Sequence, residues 1–185
     1  KHLSISVDDD FERKIVNFSK SSNINNFFKN NNYLAINGPA TPDHVIRIKH
    51  KPLFIDFSKV KINNIEKLIH NKIISYRKQY INYYNRNKNL NRNAIMHDPN
   101  PRLIVVKGLG LFSTGKNYRE SKIAMDIGKS SLAVINDAIR YGKFKSILEK
   151  EIFLMEYWPL ELAKIKPSNL PLQGNVTIIS GGLGT

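Results

Sequence analysis

Apolar positions recur along this chain at two spacings, and the elements follow from them. Asp8, Asp9 and Asp10 crowd a helix start, where carboxylates meet the positive end of the dipole. Phe11, Ile15 and Phe18 follow at steps of four and three, which predicts a first helix. Residues 21–32 are Asn-rich and read as a loop or a short helix. Tyr33-Leu34-Ala35-Ile36 is strand-like and ends at the turn signal Asn37-Gly38-Pro39. Residues 45–57 look extended: Val45, Ile46 and Ile48 come before Pro52, and Leu53, Phe54, Ile55 and Phe57 after it. In the longest periodic stretch, Ile62, Ile65, Ile69, Ile73, Tyr76, Tyr80 and Tyr83 trace one face of a helix, and residues 85–93 dissolve that pattern into a polar loop.

The second half is more regular. Residues 102–106 form a strand apolar enough to be buried on both faces. Gly108-Leu109-Gly110 turns the chain into a returning strand at Leu111-Phe112-Ser113-Thr114. Asn117 with Glu120 resembles a capping box, and opens a helix carrying Ile123, Ala124, Ile127, Ser131, Val134 and Ala138 on one side, stopping near Gly142. Ser146 and Glu149 form a second box before Ile152, Phe153, Met155 and Glu156, in a helix that Pro159 interrupts. Residues 166–174 hold two prolines and little periodicity, and read as a linker. Val176-Thr177-Ile178-Ile179-Ser180 is a β-rich run before Gly181-Gly182-Leu183-Gly184-Thr185, as though a further domain were opening.

Composition narrows the classes. The 185 residues are 41% hydrophobic and 24% charged, as in a folded globular chain. No apolar run approaches the roughly 18 residues of a membrane-spanning helix, so no membrane partner is expected. There is no cysteine, which excludes disulfides and thiolate chemistry. Lys1-His2-Leu3 offers neither an initiator Met nor a signal-peptide core, and the expectation is a cytoplasmic chain cut from something longer.

A net charge of +14 raises nucleic acid as a partner, and 14 Lys or Arg fall between Arg47 and Lys107. Tyr76, Tyr80, Tyr83 and Tyr84 interleave with Arg77, Lys78 and Arg86, as base-stacking surfaces do. The helical spacing of these tyrosines and the general abundance of Lys, Asn and Ile favour a buried stripe and a composition bias. No nucleic acid is therefore expected; an anionic small substrate such as a sugar phosphate would profit from the same field.

Candidate chemistry is sparse. His44 and His50 stand six apart, about 20 Å along a strand, and no H-x-H or H-x-x-x-H occurs, so no metal site is expected. Thr41-Pro42-Asp43-His44-Val45-Ile46-Arg47, with Lys49 nearby, gathers an acid, an imidazole and cations. Either it binds a phosphate or carboxylate through Arg47, or it is a turn in which Asp43 accepts locally; chemistry alone favours the turn. Gly108-Leu109-Gly110 and Ser113-Thr114-Gly115-Lys116 either present N–H groups to an anion or form a tight hairpin and a cap. Glu156-Tyr157-Trp158 reads as a packed aromatic anchor. Ser180-Gly181-Gly182-Leu183-Gly184 follows a strand, as a dinucleotide fingerprint does.

Four motifs in order carry a family resemblance: Gly38-Pro39-Ala40 with Thr41 to Arg47; Asp98-Pro99-Asn100-Pro101-Arg102; Gly108 to Phe112 with Thr114-Gly115-Lys116; and Glu156-Tyr157-Trp158-Pro159-Leu160-Glu161. From about Asn32 to Thr185 the chain resembles the bifunctional rhamnulose-1-phosphate aldolase/short-chain dehydrogenase proteins, in which a zinc-dependent class II aldolase region precedes a Rossmann domain. The resemblance implies an α/β fold with a mixed, largely antiparallel sheet and packed helices, part of the class II aldolase/adducin fold. It divides the chain into 1–165, the C-terminal half of the aldolase-like region, 166–174, a linker, and 175–185, the first strand of the Rossmann domain.

It further implies cleavage of a ketose phosphate to dihydroxyacetone phosphate and lactaldehyde, then NAD-dependent oxidation of the aldehyde. Thr41, His44, Arg47, Lys49, Gly110 and Thr114 are the substrate- or phosphate-binding candidates, and Ser180, Gly181, Gly182 and Gly184 the cofactor-binding ones. The chain departs from the family: the upstream metal-binding H-x-H is absent, Leu109 stands where simpler class II aldolases carry a ligand His, and Thr185 falls on a fixed glycine of the dehydrogenase fingerprint. The expectation is a segment inactive alone, with zinc and NAD belonging to the longer protein and a homo-oligomer allowed. The alternatives are a standalone enzyme using His44 and Arg47, and a non-catalytic basic module binding sugar phosphate or nucleic acid.

Overall fold

The computed structural model describes residues 3–7, 10–20, 27, 36 and 38–165. Strands β1 (Leu3–Val7) and β2 (Asp10–Ser19) form a hairpin. A 3-10 turn at Pro42–His44 leads into the short helix α1 (Val45–Ile48), then strand β3 (Leu53–Ile55). Helix α2 (Ile65–Asn87) precedes strands β4 (Leu103–Val106) and β5 (Gly110–Gly115). Helices α3 (Tyr118–Tyr141), α4 (Glu149–Glu156) and α5 (Pro159–Leu162) complete the set. The sheet order is β1-β2-β5-β4-β3, parallel between β3 and β4 and antiparallel at the other three pairings. This is an α/β fold with a mixed, largely antiparallel sheet and packed helices.

Strand β4 explains the layering. Its side chains alternate between faces, and all four residues are buried. Leu103 and Val105 join Leu111, Ala124, Met125, Leu132 and Ile135 under α3. Ile104 and Val106 join Leu53, Ile55, Ile73 and Tyr76 under α2. Beyond the sheet, the far half of α2 meets α4 in a third cluster of Tyr80, Tyr83, Phe153 and Tyr157. Tyr76, Tyr80 and Tyr83 of α2 are thus core residues.

Three expectations are corrected. The first segment is strand, not helix: β2 pairs with β1 on one side and β5 on the other, from Leu3↔Lys14 to Ile15↔Gly115. A ladder on both edges overrides the local four-three spacing. Residues 45–48 are helical rather than extended, because Pro42 presets a turn ahead of them and burying Val45 and Ile48 requires a three-residue step. The box before α4 is displaced: Glu151 Oε2 accepts from Leu148 N–H at 2.9 Å, and Ser146 is not the cap. Asn117 does cap α3, accepting from Glu120 N–H at 2.9 Å. Pro159 does interrupt the helical run: α4 ends at Glu156 and Pro159 starts α5. The strand at Tyr33-Leu34-Ala35, the linker 166–174 and the Rossmann start 175–185 lie outside the described residues.

Candidate functional site

A cavity of about 640 Å³ opens where α1, the loop before β4, the end of β5 and the C-terminal helices converge. Arg47, Lys49, Arg102 and Lys116 bring positive charge to its wall, and Asp98, Glu120 and Glu156 negative charge. Several of these are tied down. Arg102 Nη1 lies 3.4 Å from Glu120 Oε2, which also accepts from Lys116 N–H at 3.1 Å. Thr114 Oγ1 donates to the Pro101 carbonyl at 2.6 Å. Arg47 Nη2 donates to the Lys164 carbonyl at 3.2 Å.

The deep wall is a buried polar cluster. Glu156, 1% exposed, accepts from Tyr80 Oη at 2.7 Å and Tyr83 Oη at 2.9 Å. The Tyr80 and Tyr157 hydroxyls lie 2.9 Å apart. His97 stacks on Tyr157 at 4.5 Å and holds Nδ1 3.8 Å from Glu156 Oε1. Burial opposes the Glu156 carboxylate, but His97, Lys49 and Tyr80 outweigh it and hold its pKa below the usual range. The same burial, with Glu156 beside them, pushes the Tyr80 and Tyr83 phenols far up, so both stay protonated as donors.

Two lysines enter this region differently. Lys14 comes from β2 and pairs with Asp98 at 2.8 Å. Burial works against the Asp98 carboxylate, yet Lys14, the Asn100 N–H and Lys49 bring its pKa down to about 2. Lys49 follows α1, its N–H bonding the Val45 carbonyl at 2.8 Å. Its ammonium lies 3.5 Å from the centre of the Tyr80 ring and donates to the Asp98 carbonyl. Burial lowers the Lys49 pKa to about 7, against the pull of Glu156 and Asp98.

The structure brings three sequence candidates, Arg47, Lys49 and Thr114, to one wall. Thr41, His44 and Gly110 are not on it. Thr41 Oγ1 donates to Asp43 at 2.7 Å on the surface, and His44 is half-buried with no hydrogen-bond partner at Nδ1. Gly110 has φ +149 and passes so close to β2 that a Cβ would lie 2.5 Å from the Ser19 carbonyl oxygen, which is a packing requirement. Ser180, Gly181, Gly182 and Gly184 lie outside the described residues. Missed altogether were His97 and the union of Glu156 with Tyr80 and Tyr83; the motifs at Asp98 and Glu156 were the available signals. Among the described residues no three His, Asp or Glu side chains gather to hold a metal ion. The zinc that the resemblance implies therefore finds no ligand set among them. Nor is any helix among them long and apolar enough to cross a membrane.

The fold is a mixed α/β sheet with packed helices, and it carries a charged cavity where α1, the loop before β4 and the end of β5 meet. Residues 2–165 match the family described as aldolase class II, second domain, and the chain belongs to it. The protein named uncharacterized oxidoreductase YuxG, from Bacillus subtilis (strain 168), is 32% identical over 151 residues. That match covers 80% of this chain, which spans only 22% of the relative's length. No solved structure matches the chain.

Proposed function

We propose that this chain is the sugar-phosphate-binding wall of a two-activity protein, one that cleaves a ketose phosphate such as rhamnulose 1-phosphate and oxidises the resulting lactaldehyde with NAD. The observation that carries this reading is the cavity, where Arg47, Lys49, Arg102 and Lys116 line one chamber. Arg47 is the phosphate donor of choice, because its guanidinium offers charge-assisted hydrogen bonds and leaves only a backbone carbonyl to reach substrate. Membership of the class II aldolase family and the oxidoreductase name of the Bacillus relative support the pairing of activities. NAD would be held by Ser180, Gly181, Gly182 and Gly184, whose glycines allow close approach to a pyrophosphate. Base stacking is no part of the reading, since Tyr76, Tyr80 and Tyr83 are buried.

The test is Arg47→Ala in the full-length protein with rhamnulose 1-phosphate. Losing a charge-assisted hydrogen bond worth about 1.5–3 kcal/mol raises KM roughly ten- to a hundredfold and leaves kcat nearly intact. An unchanged KM would mean that Arg47 serves only the Lys164 carbonyl. Calorimetry of the chain with inorganic phosphate reads the same wall without catalysis.

A further inference from the structure

Lys49 is a buried cation of the cavity that no carboxylate answers at close range. Its backbone, at φ +65° and ψ 175°, lies in a region that residues other than glycine rarely adopt, and such strain persists only where the surroundings enforce it. The side chain is 5% exposed, while Lys51 two positions on stands in solvent. An ammonium carries three N–H donors. The Asp98 carbonyl takes one, and the Tyr80 ring, its centre 3.5 Å away, faces another. Both are partners of a cation, and neither carries a full negative charge.

The carboxylates of the same wall are committed elsewhere. Asp98 pairs with Lys14 at 2.8 Å. Glu120 faces Arg102 at 3.4 Å and accepts from Lys116 N–H. Glu156 accepts from Tyr80 and Tyr83, lies 3.8 Å from His97, and acts on Lys49 only at longer range. Taking a charge out of water is costly unless a counter-charge joins it. Lys49 lines the 640 Å³ chamber with Arg47 and Lys116, so a ligand there can supply that counter-charge.

We propose that Lys49 is the buried anchor of an anion site in this chamber, and that the phosphoryl group of a ligand, rather than a carboxylate of the wall, completes its ion pair. The inference deepens the sugar-phosphate reading and rests on it for the kind of anion; the missing counter-charge does not depend on it. Arg47 reaches the ligand from α1, and Lys49 supplies the desolvated charge beneath it.

Binding is then coupled to a proton. Burial acts first on Lys49, lowering it from its ordinary 10.5 to about 7; Glu156 of α4 and Asp98 of the loop before β4 oppose, and Arg102 and Lys14 assist. Tyr80 of α2 stays a neutral phenol, and burial holds His50 down at about 4. His97, Arg47 of α1, Lys116 just past β5 and Glu120 of α3 also face the chamber. An anion beside the amine favours its charged form, so it draws a proton on as it binds. Uptake approaches roughly half a proton per anion near pH 7 and vanishes near pH 5, where Lys49 is already charged. Above pH 7 affinity falls, by up to about tenfold per pH unit.

The experiment is calorimetry of the intact chain with sodium sulfate, a tetrahedral dianion that does not titrate near neutrality, in two pH 7 buffers of different ionisation heat, with sodium acetate in parallel. Expected is sulfate binding with proton uptake in the parent, and in Lys49→Met an affinity about tenfold weaker or more with no uptake. Melting separates an anchor from a strut. Lys49→Met removes a buried charge that lacks a carboxylate, so it should melt no lower than the parent, and sulfate should raise the parent's midpoint but not the variant's. Sulfate bound equally by parent and variant overturns the anchor and leaves the phosphate reading standing. Acetate binding with Lys49-dependent uptake and no sulfate binding keeps the anchor as a carboxylate site and removes the phosphate reading. Binding of neither anion by the parent overturns both. Should Lys49→Met fail to fold, the parent decides: sulfate binding at pH 7 without proton uptake overturns the anchor.

Discussion

His50 shows how one buried ring sets a pH limit. It lies flat on Tyr83 at 4.3 Å and 7°, with Nδ1 unpartnered. Burial, ahead of the nearby charges, lowers its pKa from 6.5 to about 4. Between those values the unfolded chain binds the proton and the folded chain does not, so stability falls as pH drops from 6.5 to about 4. The loss is on the order of 3 kcal/mol. Asp98 adds a separate loss only as pH falls from 3.8 through about 2. His50→Phe keeps the stack and removes the proton, so its urea midpoint should stay flat across the upper window; a slope equal to the parent's would place the titration elsewhere. At this scale the sequence was only partly legible. Asp98 and Glu156 stood inside recognisable motifs, yet Glu156 meets a phenol 76 positions away, and no local pattern encodes that meeting. Trp158, read as a packed anchor, is 43% exposed, while Tyr157 beside it is buried.

Among the elements, α3 depends on a glycine that helix propensity would replace. A Cβ at Gly128 would stand 2.5 Å from Leu103 Cδ1, and Leu103 is 2% exposed under the helix. Alanine ordinarily gains about 0.5–1 kcal/mol over glycine inside a helix. Overpacking a closed core costs roughly 1–3 kcal/mol, and it prevails here. Gly128→Ala should therefore lower the thermal midpoint. Gly142→Ala, where a Cβ meets open space at φ 175°, should leave it nearly unmoved. A raised midpoint for Gly128→Ala would show that Leu103 can step aside. Elements defined by long periodic runs, α2 and α3, were readable, as were β4 and β5. The edge-to-edge role of β2 was not, because its residues satisfy helical spacing locally and only their partners on β1 and β5 decide the outcome.

For the molecule as a whole, the +14 charge makes ligand capture a property of the solution as well as of the cavity. The screening length shrinks from about 30 Å at 0.01 M salt to about 8 Å at 0.15 M. Phosphate affinity of the chain should weaken several-fold across that range, as calorimetry would read. An affinity indifferent to salt would mean that only the groups touching the anion matter. The fold class was legible through the resemblance that the four ordered motifs carry. The strand order was not, since the parallel β3–β4 pair is made across the length of α2.

The carboxylate that closes the deep wall also dates it. Synthesis delivers the N-terminal elements first, so the Tyr80 and Tyr83 hydroxyls emerge well before Glu156 and bond water in the interval. Neither core on the two sheet faces draws on α4. A stop codon between α3 and α4 would therefore leave both sheet-face cores with their own residues while removing Glu156, Leu162 and Ile165 from the chamber wall.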